Sequence, residues 1–241
     1  MLGMCRRDDQ ELVQIYEAFN SDGFSVVVSA AELDAAARAA PPLTTELADA
    51  AAQAGRTDLI GHLRASLSGE DRFLKLTAAK SLMALDDQDA VPLLQELAAC
   101  ESDAVVAKCF IAVATRLRGA DAAIDLFCDP DTDPQLARLL VSNYNSHLRP
   151  GLGDVRFLLR ALRHYLDRDL PWLPDLREDL WDNGVFLMLN GLSNEHAVRL
   201  LRDNSIERST LREMLPAVGV HTEDAAILEE VRDLQVALSA D

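Results

Sequence analysis

Two neighbouring positions of one apolar helical stripe carry polar side chains where leucine is expected. Over residues 134–148, successive residues set about 100° apart place Leu136 and Leu140 on a line whose next members are Asn143 and His147. The same construction over 175–190 aligns Leu176, Leu180 and Leu187, with Asn183 and Asn190 beside them. A buried amide or imidazole left without a partner costs about 1 to 3 kcal/mol, so four of them on facing helices are expected to bond one another, a water or a ligand. As a pocket, this set would give His147 a proton to exchange near neutral pH, with Tyr144 and Arg149 as wall residues and Asn143, Asn183 and Asn190 orienting a small polar ligand. As plain structure, it would be a private interhelical network or a solvated edge.

A second set is cationic. Residues 149–168 hold five Arg against two Asp, a local +3 in a chain of net charge -17. Arg156, Arg160 and Arg163 recur at spacings of four and three, opposite the apolar face of Val155, Leu158, Leu159, Leu162 and Leu166. Guanidinium forks at this spacing suit a carboxylate, a phosphate or an acidic segment; a solvated face paired with acids is the structural alternative. Trp172 and Trp181 lie within ten residues of each other beside Glu178, Asp179 and Asp182. They read as a loop anchor and an interhelical wedge, and as aromatic surface for a partner.

Other chemistry finds little support. Glu178 and Asp179 are adjacent and diverge by about 100°, which is not the geometry of a carboxylate pair. Pro150-Gly151-Leu152-Gly153 lacks the third glycine and the preceding strand of a phosphate loop. Cys5, Cys100, Cys109 and Cys128 include no C-x-x-C pair, and no H-x-x-x-H spacing occurs, so no metal site and no cofactor is expected. The acidic balance disfavours a phosphate backbone as partner. No apolar run approaches the roughly 20 residues of a membrane span, and the N-terminus has no signal-peptide pattern, so a cytoplasmic protein is expected. Twenty of the 23 basic residues are Arg, a bias that with abundant Ala points to a GC-rich, bacterial genome.

The elements that must position these residues are helices. Apolar residues recur at helical spacing almost throughout, and period-two alternation is nearly absent. Phe24 to Val28 stays open between strand and helix. Ser29-Ala-Ala-Glu32 is a capping box opening a helix toward Ala40. Asp71, Asp133 with Pro134, Pro174 after Leu173, and Thr222 mark further helix starts. Asp71–Cys100 lines up with Asp103–Asp131 at an offset of 32, matching Asp71, Leu85, Ala90 and Leu94 to Asp103, Leu117, Ala122 and Leu126. Gln88-Asp-Ala-Val-Pro-Leu-Leu94 is echoed by Glu195-His-Ala-Val-Arg-Leu-Leu201. Each copy reads as helix, short polar turn, helix, so the chain is a stack of units.

An acidic residue opening each unit, small residues inside its first helix (Ala78, Ala79, Ala84) and the Asp89-Ala-Val-Pro-Leu-Leu94 entry to its second resemble the HEAT-like repeats, including the short bacterial kind found in phycobilisome lyases. The resemblance covers Ser68–Asp131 well and the rest loosely. It implies an all-α superhelix of four to five helical pairs over 56–241, with 1–55 as a divergent N-terminal helical cap or hairpin. It also implies a concave face lined by second helices, where Arg199 and Arg202 would extend the arginine stripe. The expected function is a non-catalytic scaffold for a protein or peptide partner. The alternative is a small-molecule lyase, isomerase or cyclase using Asn143, Tyr144, His147 and Asn183, with a small anionic or polar ligand. A third reading, a HEAT-like DNA glycosylase, rests on the two Trp and nearby Asp alone and is opposed by the charge.

Overall fold

A computed structural model describes residues 28–145, 150–167 and 184–239, and every regular element among them is a helix. The first, α1 (Ala30–Arg38), opens with the capping box expected of Ser29 and Glu32, each side chain bonding the other's backbone N–H. It is followed by α2 (Thr45–Gln53), α3 (Ile60–Ser66), α4 (Arg72–Ala84), α5 (Val91–Cys100) and α6 (Ala104–Arg118). Then come α7 (Ala120–Cys128), α8 (Pro134–Tyr144), α9 (Leu152–Asp167), α10 (Gly184–Ser193), α11 (Glu195–Asp203), α12 (Ser205–His221) and α13 (Ala225–Ser239). No described helix is long and apolar enough to cross a membrane.

Alternate helices stack. α2 packs on α4, α4 on α6, α6 on α8, α8 on α10 and α10 on α13, while α3, α5, α7 and α9 fill a second row against them. The turns that join the rows repeat as geometry. Gly55 at φ +64° and Asp86 at φ +53° occupy equivalent places after α2 and α4. Around each, the chain makes the same bonds: Arg56 N–H to Ala51 O and Asp87 N–H to Leu82 O, then Thr57 N–H to Gly55 O and Gln88 N–H to Asp86 O. Glycine adopts the left-handed region freely and aspartate tolerates it better than most residues. Each turn then leads through a single 3-10 turn, Thr57–Leu59 or Gln88–Ala90, into the next helix.

The acidic residues that open the units cap the helices that follow, and two of them also bind the unit before. Asp71, Asp103 and Asp133 are N-caps, each accepting two amides of the first helical turn, as in Asp103 with Val105 and Val106 at 2.9 and 3.3 Å. Asp103 and Asp133 also take a cation from the preceding unit: Arg72 Nε lies 3.0 Å from Asp103 and Lys108 Nζ 2.9 Å from Asp133. Lys75 donates to Glu101 at 2.6 Å in parallel. One carboxylate thereby ends an orphaned helix terminus and ties it to its neighbour. The start of α13 departs from expectation by two residues: Asp224, not Thr222, accepts the Ala226 and Ile227 amides, and Thr222 accepts from the Asp224 N–H instead.

Two apolar clusters make the interior. One runs from Leu33 to Leu117 and the other from Ala112 to Leu238. They meet on α6, which gives Val106, Cys109, Phe110, Val113, Ala114 and Leu117 to the first and Ala112 to the second. Ala78, Leu82, Leu94, Leu158 and Leu162, all at helical stripe positions, are fully buried. Leu85, Leu97, Ile111, Leu126 and Leu200 are partly buried against the same clusters.

Two outcomes follow. Leu82→Ala empties a fully buried site and is expected to cost about 2 to 5 kcal/mol in urea unfolding; a loss under ~0.5 kcal/mol would place the core elsewhere. The second concerns acid. Backbone N–H of Asp103 and then Lys75 hold Glu101 below its ordinary 4.5. Burial pushes Asp133 up, but the bonds from Lys108 and the Leu136 and Gln135 amides outweigh it, so it too lies below its ordinary 3.8. Both folded values are depressed, so this stabilisation is complete above the ordinary values and lost as pH falls through the folded ones. Melting temperature is expected to drop as pH falls below about 4, and Asp133→Asn to flatten that drop in melts taken across pH 3 to 6.

Candidate functional site

The carboxyl end of α8 is where the regular stacking gives way to polar groups. The stripe reading extends this helix through residue 148, but it closes at Tyr144. Asn145 leaves the helical region at φ −81°, ψ 64° and donates its N–H to Val141 O at 3.0 Å; asparagine is a frequent helix stop. His147 and Arg149 lie outside the described residues, as do Trp172, Trp181 and Asn183. Asn143 is buried, 6% exposed. Asn190 does not meet it in a hydrogen bond: the Asn190 side-chain oxygen accepts from Asn145 Nδ2, at a long 3.4 Å. Gly191 lets α10 pass close, because a Cβ there would stand 2.8 Å from Leu158 Cδ1 and 3.4 Å from Asn145 Cα.

Beside Asn143, Tyr144 is wholly buried. Its ring stacks on Phe157 of α9, centroids 3.9 Å apart and planes 19° apart, and the Arg116 guanidinium of α6 sits 4.3 Å from the ring centroid. Two groups at such separations occupy opposite faces, so the ring is clamped. Phe157 in turn meets Phe127 of α7 edge-on at 6.0 Å, and Phe127 meets His164 in the same way. Arg116 is ion-paired through Nη2 with Asp154, which is 6% exposed and whose other oxygen accepts the Gly151 N–H at 2.7 Å. Pattern reading missed this pair. Its trace in the sequence is faint: Lys108, Ala112 and Arg116 fall at i, i+4 and i+8 on α6, and Asp154 is an acid in the first turn of α9.

Two buried donors here have no hydrogen-bond partner among the described residues: Arg116 Nε and Asn143 Nδ2. Arg116 acts on the Tyr144 hydroxyl both through its charge and through a side-chain hydrogen-bonding contact. Burial pushes that hydroxyl up to about 12, with Asp154 adding to the rise and Arg116 opposing it, so it is a protonated donor at neutral pH. Each such orphan costs about 1 to 3 kcal/mol. Burial also pushes the Cys109 thiol to about 11, so it is an inert core residue. No three His, Cys, Asp or Glu among the described residues stand where a metal ion could be held.

The arginine stripe is exposed and paired throughout. Arg156 Nε donates to Glu207 at 2.7 Å, Arg160 Nη1 to Asp121 at 2.5 Å, and Arg163 lies 3.9 Å from Glu213. Arg199 pairs with Glu195 one turn back. Arg202 does not extend the stripe as a free cation: Nε and Nη2 both bond Ala237 O, at 3.1 and 2.8 Å, closing the carboxyl end of α13. Sequence reading saw the local +3; the acids that balance it come from α7 and α12, 39 and 51 residues away for Arg160 and Arg156.

Comparison with known proteins gives no match to a family model, to a curated protein or to a solved structure.

Asp154→Ala strips the counter-ion from a guanidinium packed on a buried ring and frees the Gly151 amide. It is expected to cost about 3 kcal/mol in denaturant unfolding, and a cost under ~0.5 kcal/mol would show the pair to be screened like a surface one.

Proposed function

We propose that the protein is a non-catalytic scaffold, a HEAT-like superhelix in the cytoplasm whose second-row helices bind an acidic segment of a protein or peptide partner. The observation that carries this reading is the state of the α9 arginines. Side chains of Arg156, Arg160 and Arg163 are 57, 50 and 46% exposed, each held by a single carboxylate. The Arg160–Asp121 and Arg163–Glu213 pairs are exposed on both sides and such pairs are worth about 0 to 1 kcal/mol, so an incoming carboxylate replaces the resident one there at little cost. The Glu207 side chain is only 11% exposed, so Arg156 stays on Glu207 and offers its remaining donors. Contacts at three positions along one helix give a partner register as well as affinity. The stacking of alternate helices and the repeated turns at Gly55 and Asp86 support the superhelix, because such arrays present one continuous face to a partner.

The test is quantitative. A partner captured by the purified protein and identified is titrated by calorimetry against the chain and against a variant with Arg156, Arg160 and Arg163 all changed to Gln. The expected result is at least a tenfold loss of affinity and a flatter salt dependence. Equal affinity and equal salt slope in the two proteins would reduce the stripe to ties between α7, α9 and α12 and remove the proposal.

A further inference from the structure

We infer that Arg160 and Arg163 of the α9 ridge together take a phosphomonoester in preference to a carboxylate, so that the acidic segment bound there is one carrying a phosphorylated side chain. This rests on the scaffold reading and deepens it. From Arg156 to Arg163 the helix exposes its three arginines and nothing else, since Phe157, Leu158, Leu159, Ala161 and Leu162 are all buried. Over that span α9 offers a partner no apolar surface, and recognition along it is by charge and hydrogen bonds.

The resident acids set the threshold that a ligand must pass. The side chains of Asp121, on Arg160, and Glu213, on Arg163, are 93 and 68% exposed, so each returns to water when displaced. A carboxylate that takes such a place exchanges one single charge for another, and the exchange is close to neutral. A phosphodiester, with one charge per phosphate, gains no more. A phosphomonoester carries about −1.5 to −2 at neutral pH and three strong acceptor oxygens, so one group accepts from two guanidiniums and brings more charge than either acid it displaces. Arg160 and Arg163 suit that bridge: three residues apart, they are neighbours on the helix surface, separated by a rise of about 4.5 Å. They are held from different helices, α7 and α12, and Arg163 only loosely, at 3.9 Å. Arg156 stays where it is, its Nε 2.7 Å from a Glu207 side chain that is mostly buried. Its remaining N–H groups, about 6 Å along the axis from Arg160, are donors for a backbone carbonyl of the same segment, which favours a phosphorylated peptide over free phosphate. The repulsion of a chain of net charge -17 is screened beyond roughly 8 Å at physiological salt, so contact at the ridge decides.

The test follows the arginine Nε–H signals of nitrogen-labelled protein at neutral pH, with those of Arg160 and Arg163 identified by their loss in Arg160→Gln and Arg163→Gln. The probes are an acetylated alanine peptide carrying one phosphoserine, the same peptide with glutamate in that place, and inorganic phosphate. The expected result is saturable movement of both signals with the phosphopeptide, at least tenfold tighter than with the glutamate peptide and at least threefold tighter than with inorganic phosphate. Asp121→Asn combined with Glu213→Gln removes two exposed resident acids and is expected to tighten the glutamate peptide at least threefold. Equal affinity for the two peptides would overturn the phosphate preference and leave an acidic segment as the partner. Inorganic phosphate binding as tightly as the phosphopeptide would overturn the peptide source, and glutamate-peptide affinity unchanged in the double variant would overturn the threshold. Unmoved Arg160 and Arg163 signals, or an equal response at the exposed Arg232 of α13, would show adventitious ion binding only and remove the inference.

Discussion

Everything in this fold is arranged around a helix that must satisfy two interiors at once. One side of α6 carries Phe110, Val113 and Leu117 into the first apolar cluster, and the other carries Ala112 into the second. Ala112 is small and wholly buried on the helix that α8 packs against, and it is flanked one turn away on each side by Lys108 and Arg116. Lys108 reaches the cap of α8 at Asp133, and Arg116 reaches Asp154 at the start of α9. The seam is therefore a cation, a gap and a cation, and it sets both the distance and the register of the next unit. A larger residue at Ala112 would push α8 away and pull both ion pairs apart together, so packing and charge are not separable there.

The same economy explains which parts of the architecture are legible in the sequence. Asp71, Asp103 and Asp133 act on amides two and three residues ahead, and the Ser29–Glu32 box closes within one turn. Local chemistry leaves local patterns, so helix starts and the 32-residue offset can be read directly. The stop of α8 at Tyr144 could not be read that way. The apolar stripe gives no reason to end there, and the determinant is the backbone of Asn145 packed against α10 where Gly191 makes room. Extending that helix by one turn is what aligned His147 with Asn143 on paper.

The arginine stripe shows the complementary failure. A count along residues 149–168 finds excess positive charge, and that count is correct. The acids that balance it belong to α7 and α12, and no window of sequence short enough to define a helix contains them. What the sequence retains is exposure: three guanidiniums on the face opposite Leu158 and Leu162 must point away from the core. Exposed and weakly held is a different state from exposed and free, and it changes the energetics of recognition. Binding becomes an exchange of carboxylates, whose cost is small per pair and whose selectivity depends on matching several at once.

The carboxyl end of α8 stands apart from both patterns because it packs polar and charged groups into a buried corner. A leucine at Asn143 would complete the stripe begun by Leu136 and Leu140, and a phenylalanine at Tyr144 would keep the stack on Phe157 while removing a buried hydroxyl. Arg116 brings a charge into the same corner and then requires Asp154 to neutralise it, an arrangement that apolar residues of similar volume generally match or exceed in stability. The core elsewhere admits polar groups one at a time, Ser66, Thr77, Ser81 and Thr115 among fully buried Leu82, Leu94 and Leu140; what distinguishes the end of α8 is that an aromatic stack, a guanidinium and its carboxylate share one corner, so that a change in any of them reaches the others.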